Sequence, residues 1–460
     1  MSIENRAREI LELRQPEPGQ RFLSARVENL WRAENFAPIV PFSGSIFVPL
    51  GPSVDLGILR ESLLAVMARH DVLHSRLAIS GNRPVQRIEA IKTPDLDIID
   101  VPRSVIAAHR EGGEPSPLGE FVDAPINLLA DSGFRCRLFR DEEGNITLGM
   151  VLHHYFGDGW SSQILRREIS ATYSAIAQNQ LPELAAAAQY ADYAGSQRQS
   201  LSANLDKHLS YWRQRLEKSG PSRLPYDHVS DTNRMGRLYF GIPEDLTARL
   251  AAVSQSLRVS AFIVYLAALQ LLIAAWSGEK KAVTAVNTAD RIKPQFQNTV
   301  GYLIASVPIY TEFEDGWNLG DLLSVLAKNF YDAYAHRDLS YDLYDQIVEA
   351  EKPFCTTLFN FIPLQEKISA ARSQSSAPPP VGIVAGPSVQ RVRVHREIYF
   401  CLVELPRGMV GKIYYNMDFF ESGTIEALLS RFHGILEKMA ADPNGKVAAI
   451  LQSASRLSIR

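Results

Sequence analysis

Residues 151–161 have the sequence Val-Leu-His-His-Tyr-Phe-Gly-Asp-Gly-Trp-Ser, which predicts the end of a strand, a tight turn and the start of a helix. Apolar residues alternate ahead of this stretch, from Ile146 to Leu152, as in a β-strand. Neighbouring side chains of a strand point to opposite faces, so His153 and His154 should not share one wall of a pocket. Strand parity places His154 with the apolar residues, and we expect one histidine to face a site and the other to face structure.

The turn itself combines two glycines with an acidic residue. Gly157 and Gly159 would let the backbone pass close to another group, and Asp158 could hold the loop by pairing with a distant cation. Taken singly, each feature is more typical of structure than of catalysis, because Asp-Gly is a common turn dipeptide. Their combination at fixed spacing favours a functional site.

Composition limits the function classes. The chain has 460 residues, 46% of them hydrophobic, which is enough for two lobes that each bury a core. A formal net charge of −3 indicates no general affinity for nucleic acid or for an anionic membrane. Cys136, Cys355 and Cys401 lack the spacing of metal ligands, so we expect neither a metal site nor a disulfide framework.

Neither the longest apolar run nor the N-terminal segment is typical of a membrane protein. The longest apolar run, residues 261–276, is shorter than the ~20 residues of a membrane span and is predicted to be a buried helix. The N-terminus has no apolar segment followed by a small-residue cleavage site. We therefore expect a cytoplasmic protein.

Strand and helix patterns predict an α/β fold with two related lobes. The motif strand should pair with residues 134–139 across a polar loop, and a helix should follow it from about residue 160 to 176. The second half repeats strands and helices in a similar order without a fixed repeat period. We assign residues 1–180 to the first lobe, 181–203 to a linker and 204–460 to the second lobe.

A further helix is predicted from Leu56 to about Leu73. Its charged end, residues 69–76, is interpreted as a solvated last turn that the helix dipole favours. Residues 370–382 are rich in Ser, Ala and Pro and are predicted to form a loop.

The two histidines, followed after three residues by Asp-Gly, resemble the signature of the condensation domains of nonribosomal peptide synthetases and their acyltransferase relatives. Trp160 and Ser161, which follow the motif, resemble the residues that follow it in the condensation branch in particular. The resemblance covers residues 23–440 approximately, because other segments follow the family's order. These segments are Arg69-His70-Asp71-Val72-Leu73, Tyr190-Ala191-Asp192-Tyr193, residues 300–309, His336-Arg337-Asp338 and Leu358-Phe359-Asn360. His74, Leu303 and Ala305 depart from the family's usual residues, which concerns the substrate channel.

The resemblance implies a fold and a reaction. The fold would be two chloramphenicol-acetyltransferase-like lobes arranged as a V, with the active site at their junction. The reaction would transfer an acyl group from the phosphopantetheine thioester of a carrier protein to an amine or hydroxyl acceptor, forming an amide or an ester in natural-product biosynthesis. The protein itself would hold no cofactor and no metal.

Roles for individual residues follow from the motif and the resemblance. His154 would act as a general base or by positioning the acceptor, and the backbone N–H of Gly159 could face the developing oxyanion. His153 and an ion pair of Asp158 with Arg291 would support the site. The substrate channel is expected to include Trp160, Tyr302, Ser306 and Asn360.

Carrier-protein binding is expected to occur in trans, since no adenylate-forming segment and no Gly-Gly-x-Ser carrier site occurs in the sequence. Arg166 and Arg167 are a candidate docking patch for an acidic carrier, and a solvated helix face beside Glu168 is the plainer interpretation. Two alternatives stay open: an acyl-CoA-dependent O-acyltransferase, and a non-catalytic carrier-docking domain. The latter is disfavoured because both histidines and the Asp-Gly are present.

Overall fold

The computed structural model describes residues 8, 11, 17–33, 43–105, 116–217, 219, 223–232, 234–339, 341–347, 354–363, 390–391 and 397–455. The chain forms two compact units. Unit 1 comprises Met1–Leu209, Ala289–Ala305 and Asp338–Leu343, and unit 2 comprises Ser210–Thr288, Ser306–Arg337 and Tyr344–Arg460. The predicted loop at 370–382 lies outside the described residues.

Unit 1 contains a three-stranded and a four-stranded sheet. Its strands are β1 (Gln20–Phe22), β2 (Ser43–Gly51), β3 (Ser75–Ser80), β4 (Arg83–Ile88), β5 (Ile98–Asp100), β6 (Phe134–Arg140) and β7 (Ile146–His153). Its helices are α1 (Ala25–Ala33), α2 (Leu56–Arg69), α3 (Pro117–Asp123), α4 (Gly159–Ala177) and α5 (Tyr190–Leu216), of which the last turns belong to unit 2. The strand orders are β1-β4-β3 and β2-β7-β6-β5.

The motif strand β7 lies inside its sheet. It pairs antiparallel with β2 on one side and with β6 on the other, which confirms the predicted hairpin with residues 134–139. All eight residues of β7 are buried, as expected of a central strand that is covered on both faces. The turn that follows is therefore anchored to the core of unit 1.

Two internal segments of the second half belong to unit 1, although the sequence assigned all of 204–460 to the second lobe. The buried Arg26 explains part of this difference. Its guanidinium donates to Asp290 Oδ2 at 2.9 Å and to Asp338 Oδ1 at 3.1 Å, and also to the Tyr193 hydroxyl at 2.5 Å. One cation on α1 thus holds two acidic residues that are distant in sequence, and local patterns could not predict that pairing.

Unit 2 is built on one seven-stranded sheet. Its strands are β8 (Arg234–Ile242), β9 (Lys281–Ala289), β10 (Ile304–Glu312), β11 (Thr357–Ile362), β12 (Gln390–Arg391), β13 (Ile398–Glu404) and β14 (Met409–Asn416), in the order β10-β9-β11-β13-β14-β8-β12. Its helices are α6 (Glu244–Ser256), α7 (Ala261–Ser277), α8 (Leu319–Ala335), α9 (Tyr341–Ile347), α10 (Ser422–Ala441) and α11 (Val447–Ser455), of which α9 begins in unit 1. The apolar α7 is buried along its length, as predicted, and ends at Gly278, whose φ of +74° suits a glycine.

The two faces of this sheet differ. Phe240 and Phe400 pack against Phe432 of α10, with ring centroids 6.2 and 4.8 Å away, so this face carries the helices. Side chains of opposite parity, such as Tyr239, Asn360, Cys401 and Lys412, point to the other face, which we call the polar face of unit 2.

None of the described helices alone is long and apolar enough to cross a membrane. The helices α6 and α7 reach that length and hydrophobicity only together, and they meet at a bend of 107°.

Candidate functional site

The loop after β7 brings both histidines to the edge of the core. The strand ends at His153, and residues His154–Phe156 form a 3-10 turn. His153 is fully buried, its Nδ1 accepts from the Tyr155 N–H at 3.2 Å, and its ring packs edge-on against that tyrosine. His154 lies beyond the strand, so strand parity does not determine where it points, and that step of the sequence argument was wrong.

His154 is partly exposed and is held in one tautomer. Its Nδ1 lies 3.2 Å from the Gly157 carbonyl oxygen, which only accepts, so Nδ1 carries the proton and Nε2 carries the lone pair. Burial lowers the pKa of His154, and the Gly157 carbonyl and the Asp158 carboxylate oppose that shift. The imidazole is therefore neutral at neutral pH and has a basic nitrogen.

Asp158 is buried and ion-paired. It caps α4 by accepting from the Ser161 N–H and hydroxyl, both at 2.7 Å. Arg291 Nη2 donates to both carboxylate oxygens, at 2.8 and 2.9 Å, and the Leu303 N–H donates to Oδ2 at 3.1 Å. The predicted Asp158–Arg291 pair is thus present within unit 1, and the carboxylate is saturated with donors.

Arg291 and Trp160 tie the 291–303 loop to the start of α4. Arg291 Nη1 donates to the carbonyls of Phe296 and Thr299 at 3.1 and 2.6 Å. The Trp160 indole N–H donates to the Gln297 carbonyl at 3.0 Å, and its ring centroid is 5.8 Å from the guanidinium carbon. Trp160, predicted as a channel residue, therefore also fastens this loop.

The two glycines of the motif have different surroundings. A Cβ on Gly157 would lie 2.1 Å from Leu152 Cδ2, so close packing excludes a side chain there. Gly159 is exposed, and a Cβ there would meet no atom within 4 Å. As the first residue of α4, Gly159 directs its N–H out of the helix end, where the helix dipole favours negative charge.

The remaining predicted channel residues divide between the units. Tyr302 is partly buried in unit 1, whereas Ser306 and Asn360 lie in unit 2. The Ser306 hydroxyl donates to the Asn287 side chain, and the Asn360 amide donates to the Tyr399 hydroxyl at 3.0 Å. The structure therefore groups the histidines with Asp158, Gly159, Trp160 and Arg291. Ser306 and Asn360 lie on the sheet of unit 2.

A buried cluster next to α4 was missed by the sequence interpretation. The predicted helix to Leu73 ends at Arg69, and His70 is buried instead of lying in a solvated turn. Buried Glu168 accepts from His70 Nε2 at 2.7 Å and from Arg69 Nε at 3.1 Å. The spacing of Glu168 from the buried Ile164, Leu165 and Thr172 of α4 was the available signal, because it puts the glutamate on the core face.

The candidate docking arginines have local surroundings of their own. Arg167 is exposed and donates to the Asn298 side chain at 2.9 Å, and Arg166 is partly buried. Glu168, which was expected to share a solvated face with them, is buried. Arg167 is therefore the more exposed of the two arginines, and Glu168 does not share their surface.

Comparison with known proteins supports one family. The family model described as "Condensation domain" matches residues 42–456. The phosphinothricin tripeptide synthetase PhsC of Streptomyces viridochromogenes is 27% identical over 440 residues, which cover 93% of this chain and 40% of PhsC. The chain thus spans less than half the length of the first curated synthetases that it matches.

Solved structures show the same fold. The condensation domain of the Monacolin K polyketide synthase MokA superimposes with a TM-score of 0.77 at 18% identity, covering 93% of this chain and 99% of that domain. The X-domain of teicoplanin biosynthesis, solved in complex with OxyB, gives a TM-score of 0.74 at 20% identity and covers 96% of this chain and 97% of that one. These likenesses bear out the predicted mixed α/β fold of the condensation type.

Proposed function

The chain belongs to the condensation-domain family, and on that premise we propose that it transfers an acyl group from a carrier-protein phosphopantetheine thioester to an amine or hydroxyl acceptor. The observation that supports catalysis is the state of His154, which is neutral, partly exposed and oriented so that Nε2 carries a lone pair. A neutral imidazole, whose unprotonated ring nitrogen carries a lone pair, is the usual general base near pH 7.

The proposed reaction proceeds by addition and elimination. The acceptor nitrogen or oxygen attacks the thioester carbonyl while Nε2 of His154 takes the acceptor's proton. The Gly159 N–H at the start of α4 donates to the oxyanion that forms. The intermediate then collapses, the C–S bond breaks, and the proton passes from His154 to the departing phosphopantetheine thiolate, which leaves a free thiol and an amide or ester.

The demand on His154 depends on the acceptor. An amine with a pKa near ~8 is partly neutral already, so a positioning hydrogen bond can suffice, whereas an alcohol needs the base more. Asp158 does not move protons in this scheme, because its oxygens are engaged by Arg291, Ser161 and Leu303. It holds the loop that carries His154.

A non-catalytic partner-binding domain is the second candidate, and the fold likeness to the teicoplanin X-domain favours it, since that domain is solved in complex with another protein. Such a domain would bind its partner without turnover. The neutral, partly exposed His154 supports the catalytic proposal instead.

The deciding experiment compares donors. Product formation is measured with one acyl group on a holo carrier protein, on free pantetheine and on coenzyme A, across a salt series, with His154→Ala as the inactive control. We expect the carrier-bound donor to be preferred, and the preference to weaken as salt rises. Equal rates from coenzyme A would favour an acyl-CoA-dependent enzyme, and carrier binding with no product from any donor would favour the docking domain.

The docking patch is tested separately. Arg166→Glu combined with Arg167→Glu should weaken carrier affinity and leave the rate at saturating carrier unchanged, because surface charges mainly steer encounter. An unchanged apparent affinity would remove this patch and leave the donor proposal standing.

A further inference from the structure

Two cationic side chains flank one tyrosine on the polar face of unit 2. Lys412 of β14 is the register partner of Tyr239 on β8, and Arg237 is the partner of Tyr414 in the same strand pair. Lys412 Nζ and Arg237 Cζ each lie 5.4 Å from the centroid of the Tyr239 ring. The two cations therefore lie on adjacent strands and on the same face of the sheet, offset from one another by two residues in register.

Neither cation is neutralised within the described residues. Across those ranges, neither Lys412 nor Arg237 forms an ion pair or a hydrogen bond to a carboxylate, and Arg237 Nε is buried without an acceptor. Both side chains are partly buried, so solvent screens them less than it screens surface residues. The two like charges repel one another, and an anion bound beside them relieves that repulsion.

The surrounding groups are neutral. Burial raises the pKa of Tyr239 and of Cys401, so neither the phenol nor the thiol supplies a negative charge at neutral pH. Tyr414 and the amide of Asn360 lie on the same face, at nearby positions of β14 and β11. Glu397, at the start of β13, is hydrogen-bonded to the Tyr226 hydroxyl.

Other buried arginines of this chain show what is missing. Arg26 contacts Asp290 and Asp338, Arg198 contacts Glu28, and Arg291 contacts Asp158. Lys412 and Arg237 have no such carboxylate among the described residues, so an anion from outside the chain can supply the missing negative charge.

We propose that Lys412 and Arg237 bind an oxyanionic group, a carboxylate or a phosphate, of the small molecule that this protein processes. Arg237 supplies guanidinium N–H donors, Lys412 supplies ammonium donors, and the Tyr239 hydroxyl can donate as well. That this small molecule is a substrate of acyl transfer rests on the proposed function, whereas oxyanion binding by the site does not.

Binding is tested by calorimetry on the full chain with three probes at fixed ionic strength: 3-phenylpropanoate, 2-phenylethyl phosphate and the neutral 3-phenylpropanamide. We expect at least one anion to bind saturably and at least about tenfold more tightly than the amide, as a charged hydrogen bond predicts. Which anion binds distinguishes a carboxylate from a phosphate ligand. Equal affinity for the amide, or no saturable binding of either anion, overturns the proposal.

Variants locate the site. Lys412→Met and Arg237→Met should each lower the affinity of the preferred anion by about tenfold. Lys328→Met is the matched control, because Lys328 is exposed on α8 and pairs with Asp332 at 2.7 Å, and it should leave the affinity unchanged. If both variants fold, judged by circular dichroism, and keep native affinity, the site is elsewhere and the proposal fails. Lys412→Glu is the second variant, and it should abolish anion binding by placing a carboxylate beside Arg237.

Turnover separates this inference from the proposed function. With an active enzyme, an acceptor or donor that carries the preferred oxyanion should outcompete its neutral isostere in wild type. Lys412→Met should remove that preference, and Lys328→Met should leave both the preference and the rate of transfer unchanged. Transfer without anion preference would overturn only the anion site. Anion binding without transfer from any donor would overturn only the acyltransfer proposal.

Discussion

The Asp158–Arg291 pair of unit 1 and the Lys412–Arg237 pair of unit 2 are two opposite ways of burying charge. Asp158 and Arg291 neutralise one another and also satisfy backbone groups of α4 and of the 291–303 loop. Lys412 and Arg237 have the same sign and flank a ring, with no acidic partner among the described residues. The comparison teaches that the first arrangement maintains a loop, whereas the second is completed only by a ligand.

His154 differs from both pairs because its side chain is neutral. Its Nδ1 donates to the Gly157 carbonyl, so the lone pair is on Nε2, and that nitrogen can accept a proton. If the comparison is right, removing His154 should affect chemistry, removing Asp158 should affect stability, and removing Lys412 should affect ligand binding while helping stability.

The largest expected effect is on turnover in His154→Ala. Loss of general acid–base catalysis is worth ~10²–10⁴-fold in kcat, while the partly exposed side chain contributes little to packing, so the thermal midpoint should hardly change. Steady-state kinetics with an alcohol and an amine acceptor check this, and the alcohol should suffer more. Near-native turnover with both acceptors would remove His154 from the mechanism.

The pH profile of the wild-type enzyme sharpens that result. Burial lowers the pKa of His154, so the neutral base persists to a lower pH than the ordinary histidine value of about 6.5. With an alcohol acceptor, which does not titrate in this range, the acid limb of kcat/KM should therefore lie below that value and should be absent from the residual activity of His154→Ala. A limb above about 6.5 would contradict the assigned environment.

Stability should fall most when the saturated pair is broken. Asp158→Asn leaves the Arg291 charge buried, and we expect the free energy of unfolding to drop by ~3–5 kcal/mol. Asp332→Asn, which removes an exposed i,i+4 partner of Lys328, is the control and should cost under ~1 kcal/mol. Denaturant unfolding of Asp158→Asn, Arg291→Ala and the double variant measures the coupling, and strictly additive losses would show that the contact contributes nothing.

The two glycines separate packing from chemistry within one loop. Gly157→Ala places a methyl group against buried Leu152 and should destabilise the fold by ~1–3 kcal/mol. Gly159→Ala has open space around its Cβ and should leave stability within ~1 kcal/mol of wild type while lowering kcat, if this position faces the reacting carbonyl. Unfolding and kinetic measurements on both variants check this, and an unchanged kcat in Gly159→Ala would exclude Gly159 from the oxyanion site.

The smallest effect has the opposite sign. Lys412→Met removes a partly buried positive charge near Arg237, and we expect the free energy of unfolding of the ligand-free protein to rise by about 1 kcal/mol. Added oxyanion should stabilise the wild type and not the variant. Thermal unfolding with and without the anion measures both, and a destabilised Lys412→Met would mean that the cation has a structural partner.

Local sequence patterns predicted several elements of this fold. The hairpin into β7, the helix α4 that follows it and the buried α7 follow from the period of their apolar residues and from the turn residues between them. The motif at 153–159 was likewise local, and its resemblance to condensation domains identified the family that the comparison with known proteins supports. The catalytic roles assigned to His154 and Gly159 stay predictions for the kinetic tests above.

What depended on distance along the chain came only from the tertiary structure. Sequence separation hid the pairing of His70 with Glu168, 98 residues apart, and the joining of Asp290 and Asp338 by Arg26. The Asp158–Arg291 pair, 133 residues apart, was predicted only through the resemblance. Side-chain periodicity reports which face of an element is apolar, whereas the partner of a buried charge is set by the path of the chain between elements. For the same reason the sequence by itself determined only that Lys412 and Arg237 are basic, and the sheet register alone decided that they flank the same tyrosine.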